Sequence, residues 1–225
     1  MRPAGCDTHR AMTKSVETNA EAEAKPRRRV RRQAPTVRRQ DLLAVTISCL
    51  ARLGARGTTG REICRQAGVS HGLLRHYFKN PENLLLETYQ ELCDSVIVRF
   101  EAEMALPHDD PWETIDRFLV MLFSDEWANP DILGAWIAFW TLVRSNAEFA
   151  AVSEDYNYRL REMLAEAVRR LPPGPVPADD LAALLSAVTD GLWIDFCLSP
   201  TRMPRDRALE LSRLTLRRLA PRPGE

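Results

Sequence analysis

The stretch TTGREICRQAGVSHGLLRHYFKNPENLL, residues 58–85, constrains this chain more than any other. Ile63 and Ala67 fall on the inward face of a short helix over about Thr59–Ala67. Gly68 supplies a tight turn, where a Cβ would clash at positive φ, and Val69 packs beneath it. Ser70 opens a second short helix, to about Phe78, by accepting from free backbone N–H groups. Leu73 and Leu74 anchor that helix, which leaves His71, Gly72, Arg75 and His76 pointing outward. This is the grammar of a helix-turn-helix, and a helix held this way fits the major groove of DNA with its N-terminal residues at base edges. His71 and His76 stand at i and i+5, which does not place two ligands on one helix face, so no metal site is expected.

The rest of the chain follows the helical period, with no alternating β-branched run to suggest a strand. Leu43, Ile47, Leu50 and Gly54 share one face of a helix expected from Thr36 to Leu53, ended by Gly54 and Gly57. Asn80-Pro81, Asp110-Pro111 and Asn129-Pro130 each place a capping side chain before a proline at the first helical position. They predict helices from Pro81 to about Leu106, over about 110–125 and over about 130–145. Further helices are expected at about 147–171, 178–198 and 204–220, the first ending before PPGPVP. The fold class is therefore all-α, with about nine helices. The expected division is a disordered basic extension over 1–35, a DNA-binding domain over 36–96 and a further helical domain over 97–225, which the family resemblance of the motif implies to be a ligand-binding and dimerisation domain.

The net charge of zero hides a strong asymmetry. Residues 25–88 carry 14 Lys and Arg against 4 acids, and residues 89–225 carry 14 basic against 23 acidic side chains. A segment of net charge +10 calls for a polyanionic partner, and the acidic remainder for a different task. The arm KPRRRVRRQAP before Thr36 is read either as lying along phosphates or entering the minor groove, with little base specificity, or as a solubilising tail. Cys6, Cys49, Cys64, Cys93 and Cys197 form no CxxC pair and read as reduced thiols of a cytoplasmic protein. No apolar h-region opens the chain and no run approaches 20 uninterrupted apolar residues, so neither a secretory signal nor a membrane partner is expected. Nucleotide-binding, nucleophile-elbow and zinc-protease motifs are missing, so the chain is not read as an enzyme and no cofactor is implied.

The run AGVSHGLLRHYF, with Thr58-Thr59, Ile63 and Leu84-Leu85 around it, resembles the tetracycline-repressor family of bacterial regulators. The resemblance implies a homodimer in which three N-terminal helices bind a pseudo-palindromic double-stranded operator and six further helices bind a small effector and pair the subunits. By position, Thr59 caps the first motif helix and touches phosphate, Ser70, His71, Gly72 and Arg75 face base edges, and Tyr77 and Lys79 hold phosphate. His76 is read equally as DNA contact or as a packed imidazole. Arg75 replaces the aromatic residue common in the family and can grip guanine O6 and N7.

Two later segments carry a second signal. AWIAFW places Trp136 and Trp140 at i and i+4 with Phe139 beside them, and TDGLW places Asp190 and Trp193 at i and i+3. Aromatic clusters are usually core, but a carboxylate inside an apolar helix is costly unless it has a partner. Both segments resemble the choline-responsive repressors of glycine betaine synthesis, a branch of the same family. That resemblance implies a quaternary ammonium effector held by the aromatic faces of Trp136, Phe139, Trp140 and Trp193 and countered by Asp190. The alternative is a C-terminal domain that binds a different small molecule or only dimerises. Leu181, Leu184, Leu185, Val188 and Leu192, with Leu209, Leu211, Leu214, Leu216 and Leu219, form the apolar faces expected to pair two subunits.

Overall fold

The residue pairs Asn80-Pro81, Asp110-Pro111 and Asn129-Pro130 do what their chemistry dictates. Each side-chain oxygen accepts a backbone N–H of the first turn, from Asn83, Trp112 and Ile132 respectively, while the proline occupies a position with no N–H to satisfy. The computed structural model describes residues 35–106 and 110–222. The basic extension read over residues 1–35 lies, but for its last residue, outside the described residues, and so does Cys6.

Among the described residues there are nine α-helices and no strand, as the periodicity predicted. They are α1 Pro35–Gly57, α2 Gly60–Ala67, α3 His71–Phe78, α4 Pro81–Met104, α5 Pro111–Leu122, α6 Pro130–Val143, α7 Ala147–Arg169, α8 Ala178–Leu198 and α9 Arg205–Leu219. The regular part of α1 stops where it was expected to. Gly54 has φ 66° and ψ 179°, a conformation open to glycine alone.

Two cores organise these helices. The first joins Leu42, Leu43 and Cys49 of α1, Ile63 and Cys64 of α2, Leu74 and Phe78 of α3, and Leu84 of α4. The second begins at Leu50 and Tyr89 and runs through α5 to α9. α4 therefore contributes to both. So does α1, which packs along α6. That crossing is very close, because a Cβ on Gly134 would lie 2.8 Å from the Ala51 Cα and 2.9 Å from its carbonyl oxygen.

At the other end α9 is pinned to α5. Arg213 donates twice to Asp116, at 2.5 and 2.6 Å, and the indole N–H of Trp112 donates to the Ala220 carbonyl at 3.2 Å. The buried hydroxyls of Thr88 and Thr189 are satisfied within their own helices, by the Leu84 and Leu185 carbonyls respectively.

The apolar stripes of α8 and α9 divide differently from the sequence reading. Leu181 and Leu185 on α8 and Leu216 on α9 are buried in the chain's own core, while Leu184, Leu198 and Leu214 stay 45%, 60% and 40% exposed. α8 is long and apolar enough, by length and composition, to cross a membrane. Its Leu181, Ala182, Leu185, Thr189 and Trp193 are nevertheless packed into the helical core.

Candidate functional site: a DNA-reading helix and an aromatic cleft

α2 and α3 are each eight residues long, and both depend on their caps. Thr59 accepts from the Glu62 N–H at 3.3 Å and Ser70 from the Leu73 N–H at 3.2 Å. Gly68 closes α2 at φ 63°, ψ 35°. Leu74 and Phe78 hold α3 to the core, and His71, Gly72, Arg75 and His76 are exposed together on its outer face. Tyr77 is half-buried at the end of the helix, with the His76 ring edge-on at 5.2 Å.

The positive charge that faces outward is smaller than the residue count suggests. Arg39 is taken up by Glu87 at 2.7 Å and stacks over the Phe78 ring at 5.5 Å, tying α1 to α4. Arg65 pairs with Glu62 at 2.6 Å; hydrogen bonds from Arg65 and Gln66 hold that carboxyl at about 2, far below its usual range. Arg61, Arg75 and Lys79 form no ion pair with any described residue and remain available to a polyanion.

Lys79 follows α3 with φ 62° and ψ −52°. The Asn80 N–H donates to the Phe78 carbonyl at 2.6 Å across it, which makes a tight γ-turn. Nothing in the sequence pattern announces this turn. Beside it, Gly60 lets the start of α2 rest on the start of α4, since a Cβ there would stand 2.6 Å from the Pro81 Cγ.

The second site is a cleft of about 240 Å³ between α4, α6, α7, α8 and the turn after α5. Four of the five residues singled out for it meet there: Trp136, Trp140, Asp190 and Trp193. Phe139 does not. It is wholly buried behind the wall, 4.6 Å from the Tyr89 ring and 6.3 Å from Phe149. The helical turn explains the split. At 100° per residue Trp140 lies 40° to one side of Trp136 and Phe139 60° to the other, so one is carried toward the opening and the other into the core.

The structure adds Tyr89, Trp127 and Tyr156 to the lining, with Ser153 and Asn157 at its polar side. Trp136 is the hub, 5.3 Å from Tyr156, 5.9 Å from Tyr89 and 6.5 Å from Trp140. Burial pushes the Tyr89 hydroxyl up to about 12 and the Tyr156 hydroxyl up as well, so both rings stay neutral. Asp190 is the one charged side chain of the lining. Asp190 is exposed on α8, but the protein packed around its carboxyl replaces much of its water. That desolvation raises it from 3.8 to about 6, with Arg161 pulling the other way.

An exposed reading helix on a three-helix head, joined by α4 to a helical body with a ligand-sized cleft, defines a DNA-binding regulator rather than an enzyme. Residues 42–88 match the family of bacterial regulatory proteins called tetR, and residues 111–221 match the BetI-type transcriptional repressor C-terminal domain. The chain belongs to the TetR family of transcriptional regulators, with a BetI-type C-terminal domain. It is similar to the HTH-type transcriptional regulator BetI of Agrobacterium fabrum, 31% identical over 159 residues covering 70% of this chain and 76% of that one. Its likeness to the BetI regulator of Escherichia coli K12 is 28% over 182 residues, 79% of this chain and 91% of the relative. Among solved structures, a transcriptional regulator from Pseudomonas aeruginosa PAO1 superposes with a TM-score of 0.74 at 27% identity, covering 82% of this chain and 91% of its own. A regulator from Saccharomonospora viridis, solved in complex with choline, gives 0.71 at 21% identity, with 80% and 96% covered.

Proposed function

We propose that this chain is a homodimeric repressor that holds a pseudo-palindromic operator through α3 and leaves it when a small quaternary ammonium compound, choline or a near relative, enters the cleft. The observation that carries the reading is the chemistry of the lining. The quaternary ammonium head of such a cation offers no N–H or O–H donor, so it is held by ring faces and a counter-charge. Trp136, Trp140, Tyr156 and Trp193 supply the rings, and Asp190 supplies the charge. The volume lies just below the ~300–1,000 Å³ of pockets for drug-sized ligands, which suits a compact effector. The BetI-type C-terminal domain and the choline held by the Saccharomonospora relative support the same class of ligand.

Two contacts connect the cleft to the DNA-reading head. α4 sets Tyr89, Val96 and Phe100 into the cleft wall and begins at the Gly60–Pro81 contact. α6 sets Trp136 and Trp140 there and crosses Ala51 at Gly134. A ligand that favours a different setting of α4 and α6 changes the spacing of the two recognition helices, and only that differential affinity moves the equilibrium.

On the DNA side, Arg75 reads base edges with His71 and Gly72 beside it, while Thr59, Tyr77 and Lys79 hold phosphate. Ser70 keeps its oxygen on the cap, which leaves its hydroxyl proton for the duplex.

Calorimetric titration separates charge recognition from mere shape. Choline binds, and its uncharged carbon isostere 3,3-dimethylbutanol does not. Equal binding of the two would remove Asp190 and the ring faces from the argument. Binding of neither would leave a C-terminal domain that dimerises or serves another ligand.

A further inference from the structure

α9 has little apolar hold on the body of the molecule. It buries Ala208, Ser212 and Leu216, with Ala220 just beyond, whereas α5 beside it buries Trp112, Ile115, Phe118, Leu119 and Met121. Leu209 and Leu219 are only partly buried. Three arginines make up the difference. Arg205 at the start of α9 pairs with Asp125, Arg213 in its middle donates twice to Asp116, and Arg222 in the tail beyond it pairs with Asp110 at 2.8 Å. The partners fall along α5 in reverse order, from the turn after it to the residue that caps it, so the pairs form an antiparallel ladder. The outer two arginines also stand over ring faces, Arg205 on Phe196 at 5.7 Å and Arg222 on Trp112 at 5.2 Å.

The ladder joins two oppositely charged strips. Residues 202–222 hold seven Arg against Asp206 and Glu210, and residues 110–126 hold five acids against Arg117. None of the six ladder residues is buried. The attraction between the strips therefore depends on ionic strength, whose screening length shrinks from about 10 Å at 0.1 M salt to about 3 Å at 1 M. An isolated exposed pair contributes little. Three in register, on a helix with one large buried side chain, decide whether that helix stays docked. We propose that the Arg205–Asp125, Arg213–Asp116 and Arg222–Asp110 ladder is an ionic-strength-sensitive latch that docks α9 on α5 and loosens it as salt rises. Salt then becomes an input to the regulator that is separate from the phosphate contacts of the reading head. The inference is independent of the ligand reading above. It bears on the proposed homodimer, because α9 carries the exposed Leu214 of the pairing face.

Amide hydrogen exchange on the full chain, compared at about 0.1 M and 1 M KCl, tests the latch. The amides of α9 are expected to exchange roughly three- to tenfold faster at the higher salt, the range for weakening three exposed ion pairs. Those of α6, whose one charged residue is Asp131, keep their rate. The double variant Arg213→Met with Asp116→Leu removes the middle pair together with its charges, and its α9 shows a smaller response to salt. An α9 that ignores salt, or a response shared equally with α6, overturns the latch, and that comparison needs no variant to fold. An undiminished response in the double variant takes the ladder out of the effect and overturns the proposal. So does a response that varies with protein concentration, which would mark separation of subunits instead.

Discussion

In the proposed reading, Asp190 serves binding at the expense of the free protein. Its folded-state pKa of about 6 lies above the ordinary 3.8, so protonation favours the fold. That contribution is complete below about 3.8 and is lost as pH rises through about 6. At neutral pH the empty protein therefore carries a carboxylate that its surroundings disfavour. Asp190→Asn should raise the melting temperature at neutral pH, raise it less at pH near 5, and abolish the response to choline. A lower melting temperature at neutral pH would mean that the carboxylate is structural. In the unmodified protein choline affinity should fall as pH drops below about 6, because binding needs the ionised form. The charged and titratable groups that act on Asp190 are Arg161 and Tyr156 of α7, and Tyr156 stays neutral throughout. Lys79 makes a second case. A non-glycine residue held at φ 62° stores ~1–3 kcal/mol, so Lys79→Gly should stabilise the protein by about 1 kcal/mol once the added chain entropy of glycine is set against it. The same change should weaken binding to every DNA sequence and reduce the salt slope by about 0.9, one phosphate contact. Chemical denaturation and a salt titration read the two effects separately. Arg75→Ala should cost ~1–3 kcal/mol on the cognate duplex alone, and equal losses on random DNA would make Arg75 a phosphate contact.

Among the elements, α4 and α6 tie the cleft to the reading head, and each is seated through a glycine. Gly134→Ala would drive a Cβ into the Ala51 backbone, which cannot yield as a flexible side chain does. Overpacking of that kind costs ~1–3 kcal/mol. The expected outcome is a lowered melting temperature and weaker operator binding, with the calorimetric affinity for choline changed far less. Unaltered operator binding would show that α1 and α6 separate freely. Capping and punctuation made the helices legible in advance, because a cap, a proline and a glycine act within a few residues of where they stand. The cleft was legible only in part. Trp136 with Trp140, and Asp190 with Trp193, are neighbours along single helices, so spacing revealed them. Tyr89 and Tyr156 sit in periodic apolar faces that read as ordinary core, and Trp127 lies in a turn where no period applies. They meet the others only through the packing of α4, α7 and the α5–α6 turn, which no local pattern encodes. Phe139 was placed at the site because it adjoins Trp140 in sequence, although the helix rotates it inward.

At the scale of the whole molecule, α8 and α9 leave an open face. Leu184, Ala187, Gly191 and Leu198 follow one exposed line of α8, nothing lies within 4 Å of a Cβ on Gly191, and Leu214 is exposed on α9. Small residues flanked by leucines let two helices approach closely, and in the proposed homodimer a second copy of the chain across a twofold axis would cover this face with the same face. Sedimentation at micromolar concentration should show a dimer, and Leu184→Glu combined with Leu214→Glu should give a folded monomer that loses operator affinity with its second reading head. A monomeric unmodified protein would leave this face for another partner. The central claim is that one small cation, bound in the aromatic cleft, lowers the affinity of α3 for DNA. Fluorescence anisotropy of a duplex that the protein selects from a random pool, titrated with choline at fixed salt, measures it directly. The account predicts release, with operator affinity reduced roughly 5–150-fold, and an Asp190→Asn protein that holds the same duplex at every choline concentration. Choline that binds the protein while the complex stays intact would contradict it.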